Sequence, residues 1–188
     1  MHLPTVRTLA PACPIVFRGE PARRVGAALL STLLLTAAAP AAADAACAHA
    51  SAARVSAKNA ARSLSCLLNA QRRSHGLAPV HGDRRLRRAA KRHSKDMARR
   101  GYFAHVTPEG VTPEARIRRA GYFRGARAWS YGEALARART SPRGILRMLL
   151  NSPPHRAILL SPGFRDVGVG VAGGGRRALT VTFDLGRR

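Results

Sequence analysis

An α+β fold, helices first and an antiparallel strand pair last, is predicted by three features of the sequence. Apolar residues recur at helical spacing from Leu64 to Leu160. From Val167 the period changes to strict alternation, and the run Gly173-Gly174-Gly175 parts two alternating segments as a turn does. Because the helices precede the strands instead of alternating with them, a βαβ-type parallel sheet is excluded. A chain of 188 residues sets the expectation of one domain plus extras.

The first 43 residues do not read as fold. Arg18, Arg23 and Arg24 precede an apolar run from Val25 to Ala39 that is built on leucines. Small residues follow, and Pro40-Ala41-Ala42-Ala43-Asp44 offers an A-x-A cleavage pattern. Basic, apolar and small-residue zones in that order make a secretory signal peptide over residues 1–43. The alternative is an uncleaved anchor over Val25–Ala46, although its alanine content makes it a weakly apolar span. Cleavage leaves no stable membrane span. It lowers the formal charge only from +24 to +21 and removes Cys13. Cys47 and Cys66 remain, and an even pair in an exported chain reads as a disulfide; the alternative is two small buried thiols.

Residues 44–60 are rich in Ala and Ser and read as a linker, ahead of a domain over 61–188. A first helix spans about 61–75, with Leu64, Leu67, Leu68 and Gln71 on one face; Gly76 and Pro79 stop it. Asp83 is a good N-cap for a second helix to Arg100, whose buried stripe is Leu86, Ala89, Ala90, His93 and Met97. His93 there reads as a core histidine. Thr112-Pro113-Glu114 opens a short helix to Ala120. Residues 122–134 read as irregular, with a short strand near Trp129 and Ser130. Ser141-Pro142 opens a helix carrying Ile145, Leu146, Leu149 and Leu150, and Ser152-Pro153 opens another to Leu160. Val167, Val169 and Val171 then alternate with near-bare positions, and Leu179, Val181, Phe183 and Leu185 form the returning strand. Gly168 to Gly173 spells G-x-G-x-x-G, but it lies within a strand and opens no helix, so it is not a dinucleotide site. Its glycines read instead as positions where another element approaches the sheet backbone.

Three segments carry the chemistry: Phe103-Ala104-His105, Gly132-Glu133 and Ser152-Pro153-Pro154-His155-Arg156. With Leu67-Leu68-Asn69-x-x-Arg72, Gly76-Leu77, Ile158-Leu159 and Val167 to Gly170, they resemble, in order and spacing, the bacterial branch of the CAP superfamily (cysteine-rich secretory, antigen 5 and pathogenesis-related proteins). The resemblance covers about two thirds of the chain, residues 63–186. It implies a three-layer α-β-α sandwich with a central antiparallel sheet, and a cleft lined by His105, Glu133, Ser152 and His155. Ser152 stands where animal and plant relatives carry a second glutamate, which weakens any pairing of two carboxylates for acid–base work. Ala134 and Pro154 also depart from the pattern, which usually has Asn and Gly there.

Two histidines and a glutamate are an acceptable zinc set with a water as fourth ligand, so His105, Glu133 and His155 are candidate metal ligands. A position near a helix N-terminus disfavours protonation of His155. The other reading is structural, with both histidines bonded to Glu133 and the backbone. The expected function is a secreted CAP-domain module, extracellular or on the cell envelope, held there by its basic charge on acidic polymers. A small apolar ligand or lipid is a second expected partner. The alternatives are a metal-dependent hydrolase of protein or cell-wall polymer, and a non-specific polyanion or nucleic-acid binder. Nucleic acid is disfavoured because the aromatics are few and the charge is mostly arginine, with lysine only at 58, 91 and 95.

Overall fold

The computed structural model describes residues 47–175 and 177–188, so the signal-peptide reading of residues 1–43 lies outside the described residues. The chain runs α1 (Ala57–Ser74), β1 (His81–Gly82), α2 (Arg84–Arg100), α3 (Pro113–Arg119), β2 (Ser130–Ala138), α4 (Pro142–Asn151), α5 (Pro153–Leu159), β3 (Asp166–Ala172) and β4 (Leu179–Arg187). The strands form one sheet in the order β1-β3-β4-β2. β3–β4 and β4–β2 are antiparallel, while β1 is a two-residue parallel strand beside Asp166 and Val167.

Alternation along β3 decides the layers. Val167, Val169 and Val171 join Leu179, Val181, Phe183 and Leu185 of β4 in a core with α1, α4 and α5. Gly168 and Gly170 face the other way, where a Cβ would overlap the backbone of Leu86–Arg87 and of Ala90–Lys91 respectively. The bare face thus seats α2 directly on the sheet, as the glycine pattern predicts. The result is helices on both sides of the sheet. Among the described residues no helix is long and apolar enough to cross a membrane.

The opening helix is fixed by two polar side chains of its own. Asn69 both donates to the Val80 carbonyl (3.0 Å) and accepts from its N–H (2.9 Å). Arg72, buried, donates Nε to the Ala78 carbonyl (2.9 Å) and Nη1 to those of Leu159 (2.8 Å) and Ser161 (3.0 Å). One side chain thereby ties the loop after α1 to the end of α5.

Two expectations need correction. The linker reading of 44–60 is too long: α1 starts at Ala57 under a Ser56 cap, and Ala60 is fully buried. Ahead of it, Cys47 is disulfide-bonded to Cys66, Cys47, Ala50 and Val55 are buried, and Arg143 N–H bonds the Ala50 carbonyl at 2.9 Å. Alanine and serine look like linker, yet small side chains also let a segment lie close against a helix. The second correction is β2, a full nine-residue strand pairing with β4 from Ser130↔Arg187 to Ala138↔Leu179 where the sequence reads as mostly irregular. Its core-facing positions are Gly132, Ala134 and Ala136, too small to raise an apolar alternation, and β-branched residues are missing from it.

Candidate functional site

The site assembles at β2, the outer strand on this side of the sheet. Gly132 makes it possible: a Cβ there would meet Ile158 Cγ2 at 2.9 Å and the Phe164 ring at 3.0 Å, so only glycine lets α5 close over the strand. Its neighbour Glu133 takes the opposite face, with a side chain only 2% exposed. The loop between α2 and α3 brings His105 to it, and Nδ1 of His105 lies 2.7 Å from Glu133 Oε1. The second carboxylate oxygen accepts from Arg116 Nη2 at 2.6 Å.

Arg116 of α3 is the residue that sequence reasoning missed. Besides Glu133 it donates Nη1 to the carbonyls of His105 (2.8 Å) and Val111 (3.0 Å), so it fixes both the carboxylate and the loop carrying the imidazole. One arginine among 30 gives no signal in the sequence. Only its place, one turn into a helix opened by Thr112, singles it out afterwards.

Burial pushes the Glu133 carboxyl up, but the His105 hydrogen bond and the Arg116 charge outweigh it and hold the group below its ordinary value. Directly across from Glu133 on β4 lies Asp184, fully buried, with neither carboxylate oxygen accepting from a donor among the described residues, so that its neighbour for a hydrogen bond is the Glu133 carboxylate. Burial, and then the Glu133 charge, push Asp184 well above the ordinary carboxylate range. The two neighbouring carboxyls are thus driven apart, one ionised and one neutral.

His155 contributes from α5. Its Nδ1 is 2.9 Å from Ser152 Oγ; the hydroxyl is engaged there and makes no side-chain cap on the helix Ser152 begins. His155 is depressed first by burial and then by the charge of His105, which supplies a cause other than the helix dipole. His93 is a satisfied core histidine, as expected: buried on α2, it meets the Ala104 carbonyl through Nε2 at 3.0 Å.

The structure therefore brings His105 and Glu133 into contact, sets His155 within electrostatic reach of His105, and places Ser152 on His155. For zinc, the fit is partial. Among the described residues no trio of His, Cys, Asp or Glu is gathered in ligand range, and both Glu133 oxygens already serve other partners. The two imidazoles fit a metal better than the glutamate does, since a carboxylate on the far nitrogen of a ligating histidine is the usual outer partner of such a ligand.

Residues 59–184 match the model of the cysteine-rich secretory protein family, CAP. The uncharacterized protein YkwD of Bacillus subtilis (strain 168) is 33% identical over 107 residues, covering 55% of this chain and 39% of that protein. Among solved structures, an extracellular protein containing a SCP domain from Bacillus anthracis str. Ames superposes with a TM-score of 0.62 at 29% identity, over 70% of this chain and 41% of that one. An outer surface protein of Borrelia burgdorferi gives a TM-score of 0.62 at 19% identity, over 72% of this chain and 97% of that one, a likeness of fold alone. The chain spans about two fifths of the length of the two Bacillus relatives.

Proposed function

The chain belongs to the CAP, or cysteine-rich secretory protein, family, and on that premise we propose that it is an extracellular binding module and not an enzyme. The observation that carries this reading is the double engagement of Glu133. A general base must be within reach of substrate, and this carboxylate is buried with only 2% of its side chain exposed, depressed, and held between His105 and Arg116. Its role is to set the loop and the His105 ring, leaving His105, His155 and Ser152 as the recognition surface. The similarity to an extracellular SCP-domain protein supports placement outside the cell. The charge supports attachment to envelope polyanions: α2 alone carries nine Arg or Lys against one Asp.

A second reading, zinc held by His105 and His155 with Glu133 behind, is favoured by the His105 Nδ1 contact alone. A metal there would supply a Lewis acid, while Glu133 and Arg116 would hold the ring in place.

Replacing Glu133 by Gln tests both. The full chain and the E133Q variant are assayed on casein and on purified cell-wall polymer, with and without added zinc, and for retention on immobilised teichoic acid. The expected outcome is no turnover by either and equal retention. The thermal midpoint of the variant should fall by about 10 °C, because breaking a buried ion pair costs about 3 kcal/mol. Turnover by the native chain that E133Q abolishes, with the fold intact, makes the protein a hydrolase.

A further inference from the structure

A groove of about 770 Å³ lies away from the histidine site, along the free side of β3. β4 pairs with all seven residues of β3 on one side; on the other, β1 pairs only with Asp166 and Val167 before Asp83 turns the chain into α2. Among the described residues no strand covers the outer edge from Gly168 to Ala172. An uncovered edge of this kind is a template for one more strand.

Its walls are two helices of unlike character. From α1 come the small residues Ala57, Ala61 and Ser65, one per turn, which keep the groove open, with Lys58 and Arg62 beside them. From α2 come Arg87, Lys91 and Lys95, again one per turn and all exposed. The acid in the lining is Asp83, whose carboxylate already accepts from the N–H groups of Arg85 (2.6 Å) and Leu86 (3.0 Å). The chain holds only three lysines among 33 basic residues, and all three line this groove. A lysine lays its aliphatic stem on apolar surface and offers a compact charge with rotatable donors, suited to single carboxylates.

The register of α2 on β3 adds a length match. Gly168 lies against Leu86–Arg87 and Gly170 against Ala90–Lys91, so strand and helix run the same way and two strand residues advance with four helical ones. Four helical residues rise about 6.0 Å, and two extended residues about 6.7 Å. Carboxylates at every second position of an extended segment would therefore meet Arg87, Lys91 and Lys95 in turn.

We propose that the open edge of β3 is a docking site for an extended acidic segment of a partner protein. The segment adds a strand beside Gly168–Ala172, with acidic residues toward α2 and small or apolar ones toward Ala57, Ala61 and Ser65. Backbone pairing supplies the fit, and the alternating charge selects the partner.

The test is fluorescence anisotropy with the full chain and a labelled Val-Glu-Val-Glu-Val-Glu-Val-Glu peptide. Its controls are the same peptide N-methylated at alternate residues, and a block peptide with all valines before all glutamates. The alternating peptide should bind saturably and slow amide exchange at Val169–Val171; each control should bind at least about tenfold more weakly. The double variant Lys91→Glu, Lys95→Glu should lose about tenfold in affinity. Both side chains are exposed, so its thermal midpoint should stay within about 2 °C of native. Equal binding of the block or N-methylated peptide would reduce the groove to general electrostatics and overturn the proposal. So would no anisotropy change with the alternating peptide, whether or not a fatty acid such as laurate occupies the groove.

Discussion

Asp184 is the residue whose chemistry is most at odds with its surroundings. A buried carboxyl placed across the strand from an ionised Glu133 is tolerated because it holds its proton, which it can give to Glu133 in a hydrogen bond that an ionised Asp184 could not make. The sign of its pH dependence follows. A carboxyl raised above its ordinary 3.8 in the fold contributes stability that is complete below that value and lost as pH climbs through the raised one. Asp184→Asn keeps the shape and removes the titration. At pH 7 the variant should melt higher than the native chain, by roughly 5 °C; at pH 3 the two should coincide. Calorimetry across that range measures it, and a variant less stable at pH 7 shows that the native aspartate is ionised and usefully paired. No feature of the sequence announces this role: Thr-Phe-Asp-Leu-Gly reads as an alternating strand whose Asp faces solvent. Glu133 and His105 were legible because both sit in short motifs with a family order. Arg116 and Asp184 were not, because what defines them is the neighbour across space.

Among the elements, β3 shows how local sequence can state a packing fact outright. Alternating valine and glycine predicts one bulky and one bare face, and the bare face is where α2 rests. The converse holds for β2, whose small inward residues conceal a nine-residue strand until its partner β4 is present. Strand identity there comes from pairing, a long-range property. Gly170→Ala puts the seat of α2 to the test. The added methyl overlaps the backbone of Ala90 and Lys91, which has no flexible side-chain end to yield, so α2 must lift. The expected loss is about 3 kcal/mol, at the upper end for overpacking, read as a lower denaturant midpoint with unchanged slope. An unaffected midpoint would mean that α2 slides freely over the sheet.

For the whole molecule, the fold class, the order of the helices and the closing pair β3–β4 were readable because those helical and strand periods occupy separate stretches of sequence; β1 and the full length of β2, which lie between helices, were not. The disulfide was an expectation conditional on removal of residues 1–43, which would leave Cys47 and Cys66 of the three cysteines as an even pair; the fold bonds these two across a 19-residue separation. What the arithmetic does not convey is how that link works with the Ala50–Arg143 backbone bond to seat Cys47, Ala50 and Val55 in the core. Charge behaves likewise. A formal +24 carries only an expectation of polyanion partners, while the fold reveals that the few lysines among the arginines share one groove.

The joint at Arg72 has a consequence for how the molecule comes apart in acid. Its three acceptors are carbonyls, which do not titrate between pH 7 and pH 3, so the tie from α1 to α5 is indifferent to protons. The tie on the histidine side is of the opposite kind. Glu133 is depressed below its ordinary 4.5, so its contribution is complete above that value and vanishes as pH falls through the depressed one, releasing Arg116 and the 101–112 loop together. Acid should therefore peel this molecule from one side. Hydrogen exchange followed as the pH is lowered stepwise from 5, corrected for intrinsic rates, should show residues 103–120 losing protection first while 64–72 and 159–161 keep theirs; simultaneous loss would mean that the two ties fail as one cooperative unit.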